Sequence, residues 1–149
     1  MFNVRLAVQS DLSGLLDLFQ ASEVSPFVQP VERAEQVWEQ TLKSESSVVF
    51  IAEVEEIIAS TCMLITAPNL LRQGRSHGFL ENVMTHPNYR GRGLGKAVVS
   101  EAINHAWAAG CHHVLMQSGR PDPRVHRFYE QIGFKPGLRV GYAVTRPSE

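Results

Sequence analysis

The segment Arg90-Gly91-Arg92-Gly93-Leu94-Gly95-Lys96 constrains this chain more than any other. It joins a strand-like stretch, Phe79 to Thr85, to a long helical pattern from about Gly93 to Ala109. A helix start exposes backbone N–H groups with no partner in the helix and carries a partial positive charge, so it attracts anions. Glycines at 91, 93 and 95 let the backbone approach a bulky group and adopt positive φ. Arg90, Arg92 and Lys96 add positive charge beside those amides. The expected ligand is a di- or polyphosphate held at a strand-to-helix junction. Two familiar phosphate loops do not fit. A P-loop needs G-x-x-x-x-G-K-[ST], and here Arg stands at 90 and Ala at 97. The dinucleotide fingerprint needs Gly where Lys96 stands, and it should open the first strand–helix unit rather than follow four strands.

The elements around this loop follow from periodicity and punctuation. Phe2 to Val8 suits an opening strand. Ser10 sits where a helix N-cap belongs, and Leu12, Leu15, Leu16 and Phe19 form one apolar helical face. Residues 22–29 read as a loop, and Pro30 suits the first position of a second helix with a stripe of Val31, Ala34, Trp38 and Leu42. Ser47 to Glu53 and Ile57 to Thr66 read as two strands joined by a tight turn at Glu55–Glu56. After the Phe79 strand, His86-Pro87-Asn88 is a turn signal. The long helix can bury Val99, Ala102, Ile103 and Ala106, with Lys96, Ser100 and Asn104 on a polar side and Gly110 as its cap. A strand at His113 to Gln117, a short helix at Pro123 to Gln131 closed by Gly133, and a last strand at Arg139 to Thr145 complete the order. Hairpins and crossovers together imply an α/β chain with a mixed sheet and helices on its faces.

At 149 residues and 44% hydrophobic content, the chain suits one domain, residues 1–149, with a real core. A net charge of −1 lacks the broad positive field of a nucleic-acid binder. No stretch approaches the ~20 apolar residues of a membrane span, and no signal-peptide pattern opens the chain. A cytoplasmic protein is the expectation. Cys62 and Cys111 have no C-x-x-C spacing and read as buried free thiols. His112 and His113, adjacent on a strand, should point to opposite faces, and His105 should lie on the exposed helix face. No metal site is expected.

The segment Arg90 to Gly95 resembles the coenzyme A site of the GNAT N-acetyltransferases, which carries Gln/Arg-x-x-Gly-x-Gly/Ala between a strand and a helix. Glu81-Asn82-Val83-Met84-Thr85-His86-Pro87 resembles that family's central strand and its turn, and Phe128-Tyr129-Glu130-Gln131-Ile132-Gly133-Phe134 its second motif. The tight match runs from about Phe79 to Phe134, and the element order extends it. Some relatives carry Asn and Ala seven and four residues before the Tyr, where this chain has Asp122 and Val125. The resemblance implies a twisted mixed sheet splayed open at its centre, with acetyl-CoA as donor and CoA as product. The pantetheine arm would lie in the split, pairing with backbone groups of Val83 and Thr85 beside Met84 as an added strand does. Backbone N–H groups from Arg92 to Lys96, including Leu94 and Gly95 after Gly91 and Gly93, would hold the pyrophosphate. Arg90 and Lys96 would make outer phosphate contacts, and Ser118 belongs to the same cofactor surface.

Acetyl transfer to an amine needs the neutral amine. With a lysine-like pKa of ~10.4, about one molecule in a thousand is neutral at pH 7. Glu81 is the candidate base. Period-2 alternation puts Glu81, Val83 and Thr85 on one face, unless a bulge intervenes and brings Asn82 to the acceptor cleft instead. The N–H of Val83 is a candidate donor to the tetrahedral oxyanion. Tyr129, protonated at neutral pH, is the candidate acid for the leaving thiolate. By family analogy Phe27, Trp38 and Tyr142 line the acceptor site. The acceptor would be a small amine, with an amino sugar suggested by a likeness to glucosamine-phosphate acetyltransferases over Phe79–Phe134. Peptide amines, a non-catalytic CoA-binding module and a nucleic-acid binder using Arg90, Arg92, Lys96, Arg120, Arg124 and Arg127 are the rival readings. Dimers are frequent in the family, so a homodimer is an open expectation.

Overall fold

The computed structural model describes residues 1–22 and 28–148, and its chain divides into two compact units, Met1–Met116 and Gln117–Glu149. The first unit contains β1 (Asn3–Leu6), α1 (Leu12–Ser22), α2 (Val31–Lys43), β2 (Ser47–Val54), β3 (Ile57–Ala67), β4 (Ser76–Thr85), α3 (Leu94–Ala108) and β5 (Cys111–Met116). Its five-stranded sheet has the order β1-β2-β3-β4-β5; the first three pairings are antiparallel and β4–β5 is parallel. This is the mixed α/β sheet that the element order implied. The parallel step needs a crossover, and α3 supplies it.

Cross-strand pairing separates the two faces of the sheet. Phe50 pairs with Cys62, and the Cys62 thiol donates to the Val98 carbonyl at 3.3 Å, so this face packs on α3. Its buried partners are Leu94, Val98, Val99, Ala102 and Ala106. Ile103 is only half-buried, so the inner face of α3 is rotated toward Val98 relative to the expected set. The opposite face carries Ile51 and Ile58 against Leu15, Leu18 and Trp38.

Several local expectations shift. The α1 start is not capped by Ser10. A 3-10 turn, Gln9–Asp11, precedes it, and Asp11 accepts the Val8 N–H at 2.7 Å. Asp11 is 7% exposed and takes a two-pronged contact from Arg5, whose Nη1 and Nη2 donate to it at 2.7 and 2.9 Å while Nη2 also reaches Glu53 at 2.7 Å. The guanidinium holds the Asp11 carboxyl below its usual range, against the opposing effect of burial. Pro30 is the N-cap of α2 rather than its first residue. Only Ala34 and Trp38 of the expected α2 stripe are buried, while Val31 and Leu42 are exposed. The β2–β3 turn is tight as expected, with left-handed backbone at both Glu55 and Glu56.

The second unit holds α4 (Pro123–Ile132). Asp122 caps it by accepting the Arg124 N–H at 2.9 Å, and Gly133, at φ 111°, closes it, as expected. The strand expected at Arg139–Thr145 does not form. Leu138, Val140, Tyr142 and Val144 alternate as a strand would, but all four are exposed. Alternation makes a segment competent to pair, and only a partner edge makes it a strand.

Candidate functional site

Strand β4 is the scaffold of the site, and it changes character at its midpoint. Its parallel pairing with β5 runs from Ser76↔Cys111 to Leu80↔Met116 and stops there, while pairing with β3 continues to Thr85↔Ser60. Residues Glu81 to Thr85 therefore have a sheet neighbour on the β3 side and, among the described residues, none on the β5 side. The β4–β5 pairing ends on the stretch where the family resemblance puts the split. A strand edge of this kind offers unpaired backbone N–H and C=O groups to an extended ligand.

The same stretch contains a bulge. Glu81 pairs with Met63 and Met84 with Thr61, so Asn82 and Val83 together stand opposite Cys62. Asn82 takes up the extra residue in a left-handed conformation, φ 52°. Simple alternation would have put Glu81, Val83 and Thr85 on one face. The bulge breaks it: Thr85 shares a face with Leu80, and Met84 shares the other with Glu81. Glu81 and Asn82 are both exposed, and Val83, Met84 and Thr85 are half-buried. The Asn82 side-chain amide lies 3.9 Å from the Met63 sulfur.

Past Thr85 the chain turns through a short 3-10 segment, Pro87–Tyr89. The His86 ring caps it by accepting the Asn88 N–H at 3.1 Å. His86 also meets Tyr89 edge-on at 5.4 Å, and the Arg92 guanidinium lies 5.1 Å over the Tyr89 ring. Sequence reasoning marked the turn but not Tyr89 as the support for Arg92. An aromatic three residues before an arginine was the available signal.

Gly91 and Gly93 are both left-handed, at φ 75° and 83°, and neither position is crowded, so the requirement for glycine is conformational. Gly93 is the N-cap of α3 and has no side chain to offer. Ala97 donates to the Gly93 carbonyl at 3.0 Å, the first bond of the helix. The N–H groups of Leu94, Gly95 and Lys96 precede that bond and have no acceptor within the helix. Leu94 is buried and anchors the turn, while Arg90, Arg92 and Lys96 are exposed around it. No carboxylate pairs with these three cations among the described residues. Helix-start amides, the helix dipole and three cations without a carboxylate partner therefore share one short loop, a combination suited to a pyrophosphate.

Tyr129 lies on α4, half-buried, with edge contacts to Phe128 at 4.9 Å and Phe134 at 5.8 Å. Ser118 lies in the segment before α4, where its hydroxyl accepts the Arg120 N–H at 3.3 Å. Trp38 belongs to the core, 7% exposed, with its indole N–H donating to the Gln9 carbonyl at 3.2 Å. Tyr142 is 88% exposed. Phe27 lies outside the described residues. The histidine expectations are corrected too. His105 is half-buried and packs edge-on against Phe50 at 5.7 Å. His112 and His113 do not diverge, since their Nδ1 atoms are 3.0 Å apart and His113 Nε2 lies 3.1 Å from His77 Nδ1.

Known proteins share this organisation. The model of the acetyltransferase (GNAT) family matches residues 12–134. A glucosamine 6-phosphate N-acetyltransferase of Trypanosoma brucei brucei is 30% identical over 132 residues, covering 89% of this chain and 88% of that protein. Among solved structures, a candidate acetyltransferase from Agrobacterium tumefaciens superposes with a TM-score of 0.90 at 36% identity, covering 97% of this chain and 99% of the other. A predicted acetyltransferase from Clostridium acetobutylicum, solved with acetyl-CoA, shares the fold with a TM-score of 0.75 at 19% identity, covering 97% and 96%. With its glycine-rich helix start, its central strand left unpaired on one side beyond Leu80 among the described residues, and this match over most of its length, the chain belongs to the GNAT family and is an N-acetyltransferase that uses acetyl-CoA as its donor.

Proposed function

We propose that the enzyme acetylates the primary amine of a small amino sugar by direct attack on the thioester, with residues 1–149 acting as one catalytic domain. The observation that carries the cofactor placement is the free edge of β4 from Glu81 to Thr85, leading into the unbonded amides of Leu94 to Lys96. Pantetheine pairs along that edge at Val83 and Thr85, and the pyrophosphate sits on the amides with Arg90 and Lys96 outside it. The amino-sugar acceptor is supported by the Trypanosoma relative and by a rice glucosamine 6-phosphate N-acetyltransferase, 30% identical over 138 residues.

In this reading Glu81 takes the ammonium proton, directly or through water, and a positioned base of this kind contributes ~10²–10⁴-fold. The bulge supports Asn82 as the neighbour that orients the acceptor. The nitrogen attacks the acetyl carbonyl, the Val83 N–H stabilises the oxyanion, and collapse breaks the C–S bond. Tyr129 gives its proton to the thiolate, and the proton that the acylated nitrogen sheds on collapse passes through water to restore the phenol. The exposed row Leu138, Val140, Tyr142 and Val144 supports pairing between two copies of the chain.

The test is a CoA-release assay with acetyl-CoA against an amine library that includes glucosamine 6-phosphate, polyamines, aminoglycosides and peptide amines. Turnover highest on an amino sugar supports the reading. Turnover confined to peptide amines overturns the acceptor, and CoA binding without turnover on any amine overturns the enzymatic role of this site.

A further inference from the structure

We propose that the β3–β4 loop and the start of β5 form a second anion site, separate from the cofactor cradle and suited to inorganic phosphate or a small phosphate monoester. Arg72, Gln73, Arg75 and His112 line an open pocket of about 270 Å³. That is just below the range of ~300–1,000 Å³ usual for small-molecule sites, which suits a small anion better than a nucleotide. The residues that line it are two arginines, a glutamine and a histidine, with no carboxylate among them. Neither Arg72 nor Arg75 has an ion-pair partner among the described residues. Two arginines without a carboxylate partner border one cavity, and their forked donors match phosphate oxygens.

Two further observations point the same way. Arg72 and Gln73 both adopt left-handed backbone, φ 52° and 59°, before Gly74 at 79°. This conformation is disfavoured for residues with a side chain, and it persists where surrounding structure or function holds it. His112 is held by the His112–His113–His77 chain, with contacts of 3.0 and 3.1 Å, which ties this part of the pocket lining into β4 and β5. The imidazole is thereby a positioned group rather than a mobile one.

The site is independent of the acetyl-transfer reading. Arg75 immediately precedes Ser76, the first residue of β4, whereas the cofactor cradle follows Thr85, its last. A ten-residue strand spans on the order of 30 Å at ~3.4 Å per residue. Glu81 is six residues from Arg75, roughly 20 Å along the strand, too far for one small phosphate ester to touch both.

The experiment uses the full chain, ¹⁵N-labelled and saturated with CoA so that the cradle is occupied. Sodium phosphate and glycerol phosphate are titrated at constant ionic strength against sodium chloride, and amide shifts are followed. The expected result is saturable movement of the Arg72–Arg75 and His112 amides with phosphate or its ester and none with chloride; the tighter of the two identifies the source. Arg72→Gln/Arg75→Gln should weaken that binding at least tenfold while leaving CoA affinity unchanged. Equal shifts with chloride, or wild-type affinity in the double variant, would overturn the proposal.

Discussion

The hydroxyl oxygens of Ser60 and Thr85 lie 2.9 Å apart on directly opposed residues of β3 and β4. Ser60 also donates to the Met84 carbonyl at 2.8 Å. The pair closes the β3–β4 ladder on the far side of the Asn82 bulge, so it locks the register after the extra residue has been inserted. Without the bulge, Thr85 would stand on the other face and the contact could not exist.

Asn82 is therefore the backbone pivot of β4. Asn82→Gly should keep stability within about 0.5 kcal/mol, because glycine adopts positive φ freely. Asn82→Val should cost about 1–3 kcal/mol, since a β-branched residue is strained there. Urea denaturation measures both. Acetyl-CoA turnover should fall with Val even where the protein remains folded; equal stability of the two variants would contradict the pivot.

Gly93→Ala tests the helix start. The position has open space for a Cβ, so any loss arises from the φ of 83° alone, about 1–2 kcal/mol. Relaxing φ would turn the Leu94–Lys96 amides away from a shared focus. KM for acetyl-CoA should rise at least tenfold, with KM for the amine little changed. A rise in the amine KM alone would separate this loop from the cofactor.

The Arg5–Asp11 pair makes stability pH-dependent with a defined sign. The folded carboxyl titrates below its ordinary value of 3.8, chiefly because Arg5 hydrogen-bonds the charged form. The contribution is therefore fully present above the unfolded pKa and is lost as pH falls through the folded one. Asp11→Asn should destabilise at pH 7 by about 2 kcal/mol, the scale of charge-assisted hydrogen bonds at a nearly buried site. The difference from wild type should shrink below pH 4. Thermal unfolding from pH 7 to pH 3 measures it, and a constant gap across that range would show the charge is not the cause.

Tyr129→Phe isolates the hydroxyl. The ring keeps its contacts with Phe128 and Phe134, so the variant should remain folded. Loss of an acid should lower kcat by ~10²-fold or more while CoA affinity holds. Full turnover in the variant rules out the acid role.

The two thiols set the background of any thiol-release assay. Cys62 is fully buried and its pKa is pushed up to about 12 by burial; Cys111 is raised for the same reason. Thiolate is the reactive form. Folded protein at pH 8 should react with a disulfide reagent at least a hundredfold more slowly than protein in denaturant. Rapid modification of Cys62 in the fold would show that its pocket opens.

What the sequence determined alone is mostly local in origin. Glycines at 91 and 93 permitted left-handed backbone, Pro87 and Asn88 marked a turn, Gly133 ended α4, and apolar spacing placed α3 against a sheet. Each depends on residues within a few positions, which is why each is legible in one dimension. The tertiary structure decided the rest. Asp11, not Ser10, organises the start of α1 because Arg5 and Glu53 arrive from β1 and β2. Trp38 is core because Leu15, Leu18 and Ile51 meet it. Residues 139–145 alternate like a strand and are not one. The split in the sheet exists because β5 ends at Met116 while β4 continues along β3. Pairing between strands joins groups far apart in the chain, and no local pattern records which edge is left without a neighbour.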